Sequence, residues 1–207
     1  MPIKLYRAPY STNVERVTLA LAHKGLEVES VVIDYADRSL VERVSGQGLV
    51  PVLDEDGRIV ADSTRILRHL EELHPDPPLF LRDPARRAEL DVFLEWFDEI
   101  WKGPPNEIAT ELAGGSAPDG DRIAALAGQM AGWLDLFERM LTGRDHLMGD
   151  FSAADCAAFP FLKYAHMREP GDDEPFHRVL DDYQQLGDDH PRLAAWIERV
   201  DERPRAY

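Results

Sequence analysis

Residues Gln47 to Ile66 read QGLVPVLDEDGRIVADSTRI, and three signals fall inside this one stretch. Val50-Pro51-Val52 puts a proline at the mouth of a short apolar run. Asp56-Gly57 between apolar runs reads as a hairpin turn, because glycine tolerates the positive φ that tight hairpins need. Asp62-Ser63-Thr64 then opens a helical pattern with Ile66, Leu67, Leu70 and Leu73 on one stripe. Strand, hairpin and helix start therefore follow one another directly. A helix start leaves N–H groups without intrahelical partners, which makes it a natural seat for a carboxylate. Pro51 has no N–H and stands where a strand should begin. It is a candidate for a cis bond, with an edge-strand proline as the plain alternative.

Upstream, Pro2 to Tyr6 alternates as a short strand, and Ala8-Pro9-Tyr10 reads as a loop. Ser11-Thr12 precedes a helix with Val14, Val17, Leu19 and Leu21 on its apolar side. Gly25 ends that helix as the residue suited to a left-handed cap. Val28 to Asp34 is a second strand, and 38–44 a short helix. Helix 63–74 is stopped by Pro75, Pro77 and Pro78. The order is β-α-β-α-β-β-α, with a parallel pair formed by the first two strands and an antiparallel hairpin.

After Pro78 the strand signals vanish. Asp83-Pro84 starts a helix, along which Leu90, Phe93, Leu94, Phe97, Ile100 and Trp101 form a broad apolar stripe. Gly103-Pro104-Pro105 breaks or kinks it. A second amphipathic helix covers 121–141 and ends near Gly143. Ser152 and Asp155 have capping-box spacing at the head of the next helix. The run Cys156 to Leu162 is apolar all round, which places that helix centrally in a bundle. Helices at about 175–187 and 191–202 follow an acidic loop, 169–175. The sequence thus divides into an α/β domain (1–78), a linker (79–84) and an all-helical domain (85–207).

The 207 residues carry 23 basic and 39 acidic side chains, a net charge of −16. That balance disfavours nucleic acid and anionic membrane surfaces as main partners. The single cysteine, Cys156, rules out an internal disulfide framework, and with no signal-peptide pattern a cytoplasmic setting is expected. His69 and His74 lie five apart on a predicted helix and point to different sides, so no metal pair is expected there.

In this order and spacing, four segments resemble the soluble glutathione transferase family: Tyr10-Ser11-Thr12-Asn13-Val14-Glu15-Arg16-Val17, Leu49-Val50-Pro51-Val52-Leu53, Asp62-Ser63, and Ser152-Ala153-Ala154-Asp155. The likeness covers nearly the whole chain. It implies a thioredoxin-like N-terminal domain joined to a helical C-terminal domain. The first segment is most similar to the serine-type, phi-like bacterial pattern. The resemblance implies glutathione as co-substrate, no metal, a homodimer and a detoxifying conjugation to small hydrophobic electrophiles. It gives Ser11 the task of hydrogen-bonding the glutathione sulfur. Val50, beside cis-Pro51, would pair its backbone with the cysteinyl part, and Asp62 and Ser63 would hold the γ-glutamyl end. Ser152 and Asp155 would serve a structural role. Tyr10, Phe97 and Trp101 are the implied electrophile-pocket residues.

The pattern departs from the family at Leu49, where a Lys or Gln commonly reaches the glycyl carboxylate; Arg38 or Arg43 is then the substitute charge. Two other functions stay open: a non-catalytic binding or regulatory protein on this fold, and a thiol-dependent isomerase. Locally, Ser11 and Asp62-Ser63 also read as ordinary helix caps. Ala8-Pro9-Tyr10-Ser11 has the outline of a Cys-Pro-Tyr-Cys motif with both thiols gone, so dithiol redox chemistry is excluded at this position.

Overall fold

A computed structural model describes residues 3–115 and 117–207. Pro2, read above as the start of the first strand, lies outside the described residues. A four-stranded sheet is built from β1 (Ile3–Arg7), β2 (Val28–Val32), β3 (Val52–Glu55) and β4 (Arg58–Ala61), in the order β2-β1-β3-β4. β1 and β2 are parallel, while β3 runs antiparallel to both β1 and β4. The hairpin turns at Asp56 and Gly57, both with positive φ, and the Gly57 N–H is tied to the Asp54 side chain at 2.9 Å. Helices α1 (Thr12–His23), α2 (Ser39–Ser45) and α3 (Ser63–Leu73) complete the expected β-α-β-α-β-β-α order.

Strand alternation sorts the core. Tyr6 pairs in register with Val52, and with Ile33 and Val41 they form one buried cluster. Leu5 and Leu53, also in register, point to the opposite face and are fully buried. Lys24, at the end of α1, is buried too. Its ammonium donates to Glu71 Oε2 at 2.9 Å and to the carbonyls of His74 and Pro77, so the three hydrogens of the cation are all used. His69 and His74 depart from the expectation of opposite sides: both Nε2 atoms meet the Glu55 carboxylate, at 2.8 and 2.6 Å. The helix stops at Leu73, and His74 leaves it with φ −128° and ψ 72°, so helical spacing no longer aims its ring.

The chain forms two compact units. One comprises the residues up to Arg87 together with Arg203–Tyr207; the other is Ala88–Glu202. The returning C-terminal residues grip α1. Arg205 reaches Glu15 Oε1 through Nη2 at 2.8 Å and Nε at 3.2 Å, Ala206 N–H donates to Thr18 O, and Arg203 Nη2 donates to His23 Nδ1 at 3.1 Å.

The second unit is helical: the C-terminal part of α4 (Pro84–Trp96), then α5 (Gly103–Ala113), α6 (Gly120–Met140), α7 (Ala153–Leu162), α8 (Pro175–Tyr183) and α9 (Pro191–Asp201). The separate helix α5 was not foreseen. Between α4 and α5, Phe97–Trp101 forms a π turn in which Lys102 N–H bonds Phe97 O. Pro104 and Pro105 supply no N–H to the carbonyls of the preceding turn, and they are tolerated because they occupy the first turn of α5. The wider turn also rotates Ile100 outward, to 52% exposure, although the stripe placed it inside. Every residue of α7 is buried, and its capping box is complete. The acidic loop contains a buried Asp172 that accepts from Tyr164 Oη and lies 2.7 Å from His177 Nδ1. Among the described residues, no helix is long and apolar enough to cross a membrane, and no three His, Cys, Asp or Glu residues group as a metal site.

Candidate active site

Ser11 is the N-cap of α1. Its backbone is extended, and its Oγ accepts the Val14 N–H at 3.4 Å. A hydroxyl has one proton and two lone pairs. Capping uses a lone pair and leaves the proton for another acceptor, so the cap and thiolate roles are compatible in one side chain. Tyr10, just before it, has φ 58° and is 41% exposed. A non-glycine residue in the left-handed region is an uncommon choice, and it stands in the turn that delivers Ser11.

Asp62 repeats the theme at α3. It too has positive φ, 78°, and its Oδ1 caps the helix by accepting the Arg65 N–H at 2.9 Å. The next residue, Ser63, is buried. Its Oγ accepts from Arg16 Nη1 at 3.2 Å and donates to Asn13 Oδ1 at 3.5 Å. Arg16 is fully buried and also donates to Thr64 Oγ1 at 3.3 Å. The first turns of α1 and α3 are therefore stitched side by side. Each helix N-terminus carries a partial positive charge, so the pair favours anionic groups placed beside them. The sequence motif held Asn13 and Arg16 but gave neither a role; their job, joining two helices 50 positions apart, exists only in three dimensions.

The third element is the segment before β3. The Val50–Pro51 bond is cis. Gln47 shapes this segment: its Nε2 donates to Leu49 O at 2.8 Å and its Oε1 accepts the Leu49 N–H at 2.6 Å. The amide thus satisfies both backbone groups of Leu49 and leaves its side chain 68% exposed. Arg38 Nη1 donates to Gly48 O at 2.8 Å, with its guanidinium 5.3 Å from the Tyr35 ring centroid, and Tyr35 Oη donates to Pro9 O at 3.3 Å. Arg38 is therefore held against the loop that leads to Val50, while Arg43 is exposed. Gln47 and Tyr35 were missed in the sequence; a glutamine two residues before Leu49 is the only local signal.

Phe97 and Trp101 belong to the helical unit. They are 0% and 1% exposed, stack at 4.5 Å with planes 9° apart, and pack against Phe161. Among the described residues the Trp101 Nε1–H has no acceptor. Cys156 is buried in α7.

A thioredoxin-like unit with capped helix N-termini in place of redox cysteines, carried with an all-helical unit, is the architecture of a glutathione-dependent transferase fold. The chain belongs to the glutathione S-transferase family. The family description "Glutathione S-transferase, N-terminal domain" matches residues 5–78, and "Glutathione S-transferase, C-terminal domain" matches 57–199. Among curated relatives, Protein LigF of Sphingobium sp. (strain NBRC 103272 / SYK-6) is 35% identical over 107 residues, which is 49% of this chain and 42% of that protein. Glutathione S-transferase 3 of Zea mays is 28% identical over 215 residues, covering 98% of this chain and 90% of the relative. The crystal structure of a glutathione S-transferase from Rhodospirillum rubrum F11 matches with a TM-score of 0.73 at 29% identity, over 98% of this chain and 89% of that one. The family uses glutathione as co-substrate, so a tripeptide thiol is the ligand class against which the site is read.

Proposed function

We propose that the chain is a serine-type glutathione transferase that joins the glutathione sulfur to small hydrophobic electrophiles, with Ser11 stabilising the thiolate. The observation that carries this reading is the geometry of Ser11: Oγ caps α1 through a lone pair and keeps its own proton to donate. A free thiol has a pKa near about 8.5. Lowering it by about two units takes roughly 2.7 kcal/mol of preferential stabilisation of the anion. A hydroxyl donor at a helix N-terminus is of that kind and size. The thiol proton leaves to solvent, the sulfur lone pair forms the bond to the electrophilic carbon, and the leaving group departs with its bonding pair. The chain supplies no covalent nucleophile of its own in this scheme.

The other roles follow from the same frame. Asp62 offers its carboxylate, and Ser63 its neighbouring N–H groups, to the γ-glutamyl end. Val50 offers backbone groups next to cis-Pro51, and Arg38, at the head of α2, supplies a cation for the glycyl carboxylate, supported by its guanidinium being held against Gly48 O in the loop before Val50. Tyr10 is the exposed aromatic beside Ser11. In the helical unit Phe97 and Trp101 are kept as electrophile-side residues on the family resemblance alone, since both side chains are sealed in the core. The phi-like assignment rests on the Ser11 to Val17 motif, and homodimerisation on family membership; sedimentation velocity checks the latter.

The test is conjugation of glutathione to an aryl halide. Ser11→Ala lowers kcat/KM about tenfold to a hundredfold, the worth of one hydrogen bond to a charged group. It also moves the thiolate ultraviolet absorbance of bound glutathione to higher pH. Full activity in the variant, or unshifted absorbance, defeats the thiolate role. A second reading, a binding protein without catalysis, is favoured by exposed Leu49, which has no donor where the family commonly has one. Calorimetric titration separates them: a folded wild-type protein that takes up no glutathione supports the second reading.

A further inference from the structure

Leu49 faces water by construction. Among the described residues no large apolar side chain is more exposed than its 68%. A lone surface leucine is ordinary, but this one is held in place. Gln47 Nε2 donates to Leu49 O at 2.8 Å and to Ser45 Oγ at 3.0 Å, while its Oε1 accepts the Leu49 N–H at 2.6 Å. Both amide hydrogens of Gln47 are thereby engaged inside the loop. Position 49 itself offers only hydrocarbon. Beside it, Arg38 donates from Nη1 to Gly48 O at 2.8 Å and from Nε to Tyr35 O at 3.4 Å. A guanidinium has five N–H groups, so donors remain for an anion. A fixed cation and a fixed apolar side chain thus stand together at Gly48 and Leu49.

In the thiol reading above, on which this inference rests, the cysteinyl residue lies along Val50 and the γ-glutamyl end at Asp62 and Ser63. β4 pairs Ala61 with Val52, so Asp62 stands on the β4 side of this segment. The third residue of an extended peptide leaves the opposite way, toward Gly48, Leu49 and Arg38. Its carboxylate then has the guanidinium, but a glycine has no side chain to set against Leu49. We propose that the site prefers a γ-glutamylcysteinyl peptide whose third residue carries an apolar side chain, with Leu49 as the specificity-determining contact.

The full chain is titrated calorimetrically with glutathione, γ-glutamylcysteinylleucine and γ-glutamylcysteinylasparagine. All three keep the terminal carboxylate, and the last two match in size but differ in polarity. The leucine peptide should bind about threefold to tenfold more tightly than the other two, the scale of a partly exposed apolar contact. Leu49→Ala should bring the leucine peptide within about twofold of glutathione, and Leu49→Gln should leave it no tighter than the asparagine peptide. The side chain is exposed, so circular dichroism should show the fold retained in both variants. Equal affinity of wild type for the three peptides, or an undiminished preference in Leu49→Ala, overturns the proposal. So does a change of oligomeric state in Leu49→Ala by sedimentation velocity, which assigns the leucine to a contact between copies. The two failures are distinct: if wild type binds none of the three, the thiol reading falls and this inference with it, whereas binding without discrimination removes this inference alone.

Discussion

His23 shows how a single ring commits to one protonation state. Its Nε2 lies 3.2 Å from Pro78 O and its Nδ1 receives the Arg203 guanidinium at 3.1 Å, an arrangement that only the neutral ring satisfies. Burial, with the nearby charges of Arg203 and Lys24, holds its pKa below the usual 6.5, against the opposing pull of the Pro78 carbonyl and Glu71. A group depressed in the folded state contributes stability above its unfolded pKa, and that contribution fades as pH falls through the folded value. Proton NMR should place the His23 midpoint below 6.5, and His23→Gln should flatten stability against pH on the acid side of that value. An unshifted midpoint defeats the argument. Asp172 follows the same sign lower on the scale. Burial alone would raise its pKa, but the Tyr164 hydrogen bond, the His177 charge and the Glu174 N–H together bring it below 3.8. Its contribution is present above that pH and lost in acid, so Asp172→Asn should remove part of the acid limb of the unfolding curve, read by circular dichroism.

At the scale of elements, α7 shows how one carboxylate holds a bundle together. Asp155 Oδ1 accepts from Leu147 N–H at 3.1 Å and Trp196 Nε1–H at 2.8 Å; Oδ2 accepts from Ser152 N–H at 2.9 Å and Ser152 Oγ at 3.1 Å. Asp155→Ala strands several neutral donors in the interior and should cost about 3 kcal/mol, since each buried donor left without an acceptor costs roughly 1–3 kcal/mol and the vacated space lets some relax. Ser152→Ala removes a cap and should cost about 1 kcal/mol. Urea unfolding measures both, and equal effects would contradict the difference in their bonding. The capping box was legible in the sequence because Ser152 and Asp155 lie within one turn. The reach of Asp155 to Trp196 was not, since no local spacing encodes a partner 41 residues away. Likewise the helix periods, the Asp56-Gly57 hairpin and the caps Ser11 and Asp62 announced themselves through short-range chemistry. Helix α5 was hidden by prolines that read as breakers but sit in a first turn. The Gln47 clasp, the Arg16 bridge and the sharing of Glu55 by two histidines depend on tertiary neighbours.

For the whole molecule, an excess of 16 negative charges is the dominant long-range term. Self-repulsion is screened as the Debye length shrinks from about 30 Å at 0.01 M salt to about 8 Å at 0.15 M. The thermal midpoint should therefore rise by a few degrees across that range, a shift corresponding to roughly 1 kcal/mol; differential scanning calorimetry in sodium chloride checks it, and a fall would show that local ion pairs outweigh the net charge. The burial of Lys24 has a separate consequence. The chain has four lysines. Lys24 in one unit and Lys163 in the other have side chains only 0% and 3% exposed, whereas Lys4 is 41% exposed. Under an amine-acylating reagent Lys4 reacts at once, while Lys24 and Lys163 react only when their own surroundings open. Two acylation rates, resolved by mass spectrometry on one sample, therefore clock the breathing of each unit separately.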